Sequence, residues 1–436
     1  MDKKTIVVGG GASGLFFGAA VPVSCGSDIL ILEKTDKIGT KLLMAGSGHC
    51  NLTHAGSIKE FLLCYGKNGS RIRTCLYRHN NLECVRFMEH LGVPCSQRED
   101  GKIFPASMDG RDVLKALLKA AAENSVTIRK NAPVKAVRAL PKGFEVTVGD
   151  GHTGVHTYRH AGKHRTFICE NLVIASGGAS YPSTGSDGSL SDVLRRDLDI
   201  PVNALRPSLA PVYVQNYPFG LLSGISFKTA GLKIYKRDCE RVHEASGDLL
   251  LTHKNFSGPL MLNNCRYIDT GDKIQLDFIA PHSAADLRSH IKKALKGSSR
   301  TLTSFMAEEY NLPRRFAAAV LEPLELKDKK LSSLSGVQIK AVSEAFASAE
   351  YSVSGLGSFR EAMATKGGIS LDSVNLSTME SRVYKGLYFI GEVLDIDGDT
   401  GGYNLQFAYS SARTALDSIY EKMYKRYTKP FPITSL

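Results

Sequence analysis

The chain has 436 residues, 43% of them hydrophobic and 22% charged, so it exceeds one compact core and should hold two or three domains. No stretch approaches the ~18 consecutive apolar residues of a membrane-spanning helix, which predicts a soluble protein with no membrane partner. Its formal net charge of +12 excludes a neutral surface and concentrates anionic partners, phosphorylated cofactors and nucleic acid among them.

In chain order, the first predicted element is a buried strand, Ile6 to Val8, which runs into a turn carrying Gly9, Gly11 and Gly14. A helix follows, with Gly18 one turn further along, and then a second apolar run closed by Glu33. This strand, glycine turn, helix, strand and acid is how the ADP half of a dinucleotide is held. Gly9 permits the tight turn, Gly11 admits the pyrophosphate, Gly14 lets the helix approach the sheet, and Glu33 can accept the ribose hydroxyls. A signal peptide is excluded, because Gly9 to Gly11 and Ser13 interrupt the apolar run behind Lys3 and Lys4. Pro22 predicts an early end to the helix.

A glycine-rich loop from Gly39 to Thr53 comes next, then helices near 57 to 91 and 109 to 124. Strands are predicted at Val126 to Arg129 and Pro133 to Arg138, a hairpin from Phe144 to Glu170, and a separate buried strand from Leu172 to Ala175 ending in Ser176 and Gly177. The alternation implies a parallel sheet with an antiparallel excursion. From about Arg206 short β-like runs suggest a separate domain, and residues 283 to 348 show helical spacing. Beta patterning returns at Tyr351, and α/β character resumes with the strand Leu387 to Ile390. The nucleotide-binding domain is therefore expected to be split.

Nine cysteines without CxxC spacing argue against a disulfide framework, a zinc ribbon and a dithiol centre, and point to a reducing cytoplasm. His152, His156, His160 and His164 recur every four residues, but the intervening Gly, Thr and Tyr read as an exposed hairpin, so no metal site is assigned. Basic clusters at Arg71, Arg73 and Arg78, at Lys292 to Arg300, at Arg314 and Arg315, at Lys327 to Lys330 and at Lys422 to Arg426 keep an RNA partner in view.

Three further segments carry a resemblance: GTKLLMAGSGHCNLTH at 39–54, GDLLLTHKNFSGP at 247–259 and GLYFIGEVLDIDGDTGGYNLQFAYSSA at 386–412. With these the chain resembles, over nearly its whole length, the BaiN/RdsA (YhiN-like) family of FAD-dependent oxidoreductases, which includes proteins called aminoacetone oxidases. The resemblance implies an α/β fold: a split Rossmann-like FAD-binding domain (1–204 and 366–436), an inserted β-barrel-like domain (205–280 and 349–365) and a helical insert (281–348). It implies FAD in the fingerprint, at Gly9, Gly11, Ala12, Ser13, Gly14, Glu33 and Lys34, with Lys41, the backbone at Val134 and Gly177 as further contacts. Gly391 and Glu392 are expected on the ribityl chain, and Gly402, Tyr403 and Asn404 at a helix start whose amides face the flavin pyrimidine edge.

With only one dinucleotide fingerprint present, NAD(P)H is expected to dock transiently as electron donor. Cys50 is the expected proton donor and His253 a substrate-binding or protonating group. His49, Thr40 and Lys102 stand where the family tends to carry arginine, and Asn255 replaces a glycine, so the substrate does not follow directly from the relatives. Reduction of an activated C=C bond is the expected chemistry, with uridine in ribosomal RNA as leading substrate. A small-molecule enone reductase or amine oxidase, or a binding protein that uses FAD structurally, are the alternatives.

Overall fold

The computed structural model describes residues 2–149, 165–295 and 298–427 and resolves them into two compact units, 1–207 with 363–436, and 208–362. The four-residue histidine series lies outside the described residues.

The first unit is built on a nine-stranded sheet. Its centre is β1 (Asp2–Val8), flanked in parallel by β2 (Ile29–Leu32) on one side and β6 (Arg165–Ile174) on the other. The parallel run continues through β3 (Thr127–Arg129) beyond β2 and β7 (Leu387–Phe389) beyond β6. Ile6 pairs with Leu30 and with Leu172, and all four residues of β2 are buried. Strands buried on both faces read as continuous apolar runs, as these do.

The antiparallel excursion is β4 (Val134–Leu140) against β5 (Gly143–Val148), which pairs in turn with the first half of β6. Here the structure corrects the sequence reading. The return strand of the hairpin and the buried strand at 172–175 are one continuous strand, antiparallel to β5 along one stretch and parallel to β1 along most of its length.

Helix α1 (Ala12–Ala20) ends before Pro22 as expected, because Val21 and Pro22 both take extended backbone. Helices α2 (Thr40–Met44), α3 (Arg73–Arg78), α4 (Gly110–Glu123) and α5 (Tyr403–Tyr427) complete the parts used below. Asp109 caps α4 by accepting the Arg111 amide hydrogen at 2.9 Å.

The second unit is a closed six-stranded antiparallel barrel, formed by Val212–Val214, Phe256–Ser257, Arg241–Leu251, Ser226–Tyr235, Lys273–Asp277 and Ala349–Leu356. Four helices between 284 and 347 send their apolar faces into the barrel's core. Phe316 is the hinge of that packing, with ring centroids 4.8 Å from Phe227 and 4.9 Å from Phe278. Among the described residues no helix is long and apolar enough to cross a membrane.

All nine cysteines are free thiols. Burial pushes Cys50, Cys75 and Cys169 up to about 12, from an ordinary value of 9.0. Between these two values the unfolded chain binds fewer protons than the folded one. Stability contributed by the neutral thiols is thus complete below pH 9 and is lost as pH rises toward 12. Urea midpoints measured from pH 8 to 11 are expected to fall progressively, and less steeply in a Cys75→Ala variant. A variant falling as steeply as the parent would contradict this.

Candidate functional site

The site begins where β1 hands over to α1. Gly9 holds φ at +117°, and a Cβ there would lie 2.3 Å from the Ala175 carbonyl oxygen; a Cβ on Gly14 would lie 2.0 Å from the Gly9 carbonyl oxygen. Both positions exclude any side chain, and so bring the start of α1 down onto the ends of β1 and β6. Gly11, the residue preceding the helix, is different: a Cβ there meets nothing within 4 Å. Open space in front of a helix N-terminus is what an anionic group needs.

Glu33 sits at the end of β2 and is buried. Its Oε2 accepts the Gly10 amide hydrogen at 2.8 Å, and its Oε1 accepts from the amide and hydroxyl of Thr35, both at 2.8 Å. These three bonds fix the carboxylate beside the glycine turn and leave part of its ~four-site acceptor capacity free. Ala132 N donates to the Glu33 carbonyl and Asn131 N to that of Thr35, which leads the chain into Val134, at the start of β4, alongside the acid. Lys34 instead turns to an ion pair with Asp187 and a hydrogen bond to Ser189.

Residues far apart in sequence close the other side. Lys41, on α2, donates from Nζ to Glu392 Oε2 at 2.6 Å, and Glu392 Oε1 accepts the Thr365 amide hydrogen at 2.8 Å. A Cβ on Gly391 would lie 2.7 Å from Ser13 Oγ, and one on Gly177 would lie 2.9 Å from Ser186 Oγ and 4.0 Å from Glu392 Oε2. Gly9 to Gly14, Gly177, Lys41, Gly391 and Glu392 therefore belong to one neighbourhood. An open helix N-terminus, a ribose-type acid at the next strand end and a Lys–Glu pair match the donors and acceptors of a flavin dinucleotide.

Helix α5 starts at Tyr403, behind Gly401 and Gly402, where a helix start was expected. With the Asn51 amide oriented to satisfy its neighbours, Oδ1 accepts from Gly402 N at 3.1 Å while Nδ2 donates to the carbonyls of Thr53 and Ile103 at 2.9 and 3.1 Å. Gly402 N thus clasps the 39–54 loop to the helix. Tyr403 points its ring inward, stacked on His54 at 5.4 Å and edge-on to Phe61 at 5.0 Å. Asn404 holds both backbone groups of Gly398, at 2.8 and 2.9 Å.

Gln406, not singled out from sequence, bridges the Thr53 hydroxyl at 2.6 Å and the His79 carbonyl at 3.1 Å, fully buried. A glutamine inside an apolar helical stretch was the available signal, since a buried amide needs partners. Thr365 was missed too, and nothing local distinguishes it.

Cys50 has φ at +57°, no exposed surface, and a thiol held protonated by burial and then by the neighbouring Cys95. Donating a proton to substrate requires contact with it, and in this packing Cys50 has no open face. His253 lies exposed in the second unit, in a turn closed by Thr252 Oγ1, which donates to the Asn255 carbonyl at 2.9 Å. Among the described residues no group of His, Cys, Asp and Glu is arranged to hold a metal.

A family model described as the HI0933-like protein Rossmann domain matches residues 3–417. The chain belongs to the HI0933-like family. The family is one of FAD-dependent oxidoreductases, in line with the sequence resemblance and with the glycine cradle just described. This HI0933-like chain is 27% identical to a ribosomal RNA dihydrouridine synthase of Haemophilus influenzae, over 96% of this chain and 98% of the relative. It is 28% identical to a 3-dehydro-bile acid delta(4,6)-reductase of Clostridium scindens, over 94% and 97%. Among solved structures, an E. coli quinol fumarate reductase shares the fold at 15% identity and a TM-score of 0.50, covering 99% of this chain and 72% of that one.

Proposed function

We propose that this chain reduces an activated carbon–carbon double bond, and that its substrate is uridine in ribosomal RNA. The observation that carries the reading is the convergence of the open Gly11 turn, Glu33 and the Lys41–Glu392 pair on one flavin-type site, in a chain whose relatives include one named a ribosomal RNA dihydrouridine synthase and one named a delta(4,6)-reductase.

Bound FAD supplies hydride chemistry, with NAD(P)H as a transiently docking donor. The chain's own residues do the rest. The α1 N-terminus and Gly11 would receive the pyrophosphate, and Glu33 would hold the ribose with its remaining acceptor capacity. Lys41 and Glu392, fixed against each other, would offer the ribityl hydroxyls a donor and an acceptor. The Asn51 clasp and Gln406 keep the 39–54 loop in one arrangement, so that substrate meets a preorganised surface. Uridine would take hydride at C6 and a proton at C5, the proton coming from a group with an open face.

The net charge of +12 favours a polyanionic substrate over a neutral one. A small-molecule enone is the second reading, favoured by the equal likeness to the bile acid reductase. Nucleoside mass spectrometry of ribosomal RNA from cells with and without the gene separates them. Loss of dihydrouridine on deletion, restored by the intact gene, is the expected result. An unchanged profile overturns the RNA substrate and moves the search to conjugated small molecules.

A further inference from the structure

We propose that the exposed face of α3 is where RNA docks: Tyr77 offers its ring to an unstacked base while Arg73 and Arg78 hold the flanking phosphates. The proposal rests on the RNA substrate inferred above and names the surface that would hold it.

Cys75 and Leu76 anchor α3 in the core and turn its other side outward. There Arg73, Thr74, Tyr77 and Arg78 line an open recess of about 540 Å³. Arg73 and Tyr77, and likewise Thr74 and Arg78, are four residues apart and share a helix face. Tyr77 is 47% exposed, a large aromatic left in water. From residue 61 to 82 the sequence carries Lys67, Arg71, Arg73 and Arg78 and not one Asp or Glu.

A solvated helix face accounts for arginines, and several surface arginines of this unit meet carboxylates. Arg111 pairs with Asp109 at 2.6 Å, Arg138 with Glu145 at 2.9 Å and Arg196 with Asp197 at 2.6 Å. On α3 that compensation is missing at Arg73 and Arg78, as it is at the exposed Arg86 and Arg98, and what sets α3 apart is the exposed ring of Tyr77 in the same recess. Arg71, just before the helix, is neutralised by Asp372 at 2.6 Å, yet Arg73 engages no carboxylate among the described residues, and Arg78 is steadied by the Ser377 carbonyl at 3.3 Å with its charge intact. Uncompensated arginines around an exposed ring in a concavity suit a strand whose bases are free to stack. A duplex keeps its bases stacked on one another and offers Tyr77 nothing.

The test uses the full-length, FAD-loaded protein and a fluorescein-labelled oligomer of about twelve uridines, followed by anisotropy over a salt series. Arg73→Ala with Arg78→Ala is expected to reduce the slope of log affinity against log salt by about 1.4, at about 0.7 per phosphate contact. Tyr77→Ala should weaken binding about ten-fold or more and Tyr77→Phe should restore it. Lys142→Ala, an exposed cation at the β4–β5 turn, should change little. Flavin content equal to the parent's shows that the variants are folded.

Parent protein that binds no oligouridine at low salt overturns this face and the RNA reading together. Binding that the α3 variants leave unaltered, in affinity and in slope, overturns the face while the RNA reading stands. Equal binding of poly-glutamate, lost with the arginines and indifferent to Tyr77, overturns it in favour of an acidic protein partner.

Discussion

A Gly11→Asp chain is expected to purify folded and colourless. The two halves of that result have separate causes in the structure. Gly11 takes φ at −81°, which any residue adopts, and a Cβ there meets nothing within 4 Å, so the backbone and packing tolerate the change. The carboxylate, however, would occupy the space in front of α1, where the pyrophosphate of FAD would sit. Like charges set together cost several kcal/mol, and each ~1.4 kcal/mol is a factor of ten. Flavin affinity should therefore fall at least about 100-fold. Visible absorbance per protein after desalting, read beside a thermal melt, checks both halves. A folded, yellow variant would remove the assignment of this turn to the cofactor.

The second large effect is expected at Gly402, from the opposite cause. Gly402 holds φ at +97°, and a Cβ would lie 2.6 Å from the Thr53 carbonyl oxygen. Gly402→Ala thus meets backbone strain of roughly 1–3 kcal/mol and a backbone atom that cannot swing away. Relief requires the 39–54 loop to draw back from α5, which breaks the Asn51 clasp and disturbs Lys41 on the same loop. The expected outcome is a lowered melting temperature together with a fall in turnover of about ten-fold or more, since misplacement of about 1 Å is enough for larger losses. Gly336→Ala is the comparison. That glycine has open space at its Cβ and no positive φ, and the substitution should leave both readouts alone. Turnover and melting point unchanged in Gly402→Ala would show that the loop and α5 are not coupled.

What the sequence determined lies where a short segment carries its own instructions. Gly9, Gly14 and Glu33 fall within one strand–helix–strand unit, so spacing alone announced the fingerprint and its acid, although the Ala175 carbonyl that leaves Gly9 no room for a side chain comes from just past the end of β6. The change from alternating α/β texture to short β runs near Arg206, and to helical spacing near 283, reflects the different burial patterns of a two-sided parallel sheet, a barrel wall and an amphipathic helix. The end of α1 before Pro22 follows from one missing amide hydrogen.

Only the tertiary structure decided the rest of the site. Lys41 and Glu392 are 351 positions apart, and no local period links them. Asn51 read as a loop residue until Gly402 supplied its partner, and Gly402 read as a free donor until Asn51 claimed it. Cys50 has the neighbours of a reactive loop cysteine, yet packing against Gly110 on α4 leaves it no surface at all. The same holds for the arginines of α3, which are no more basic in sequence than other clusters. They stand out because the fold leaves Tyr77 exposed beside them in an open recess. Spacing along a chain encodes which face a residue takes, whereas what lies across from that face is fixed by long-range packing, and the chemistry of this site lies across.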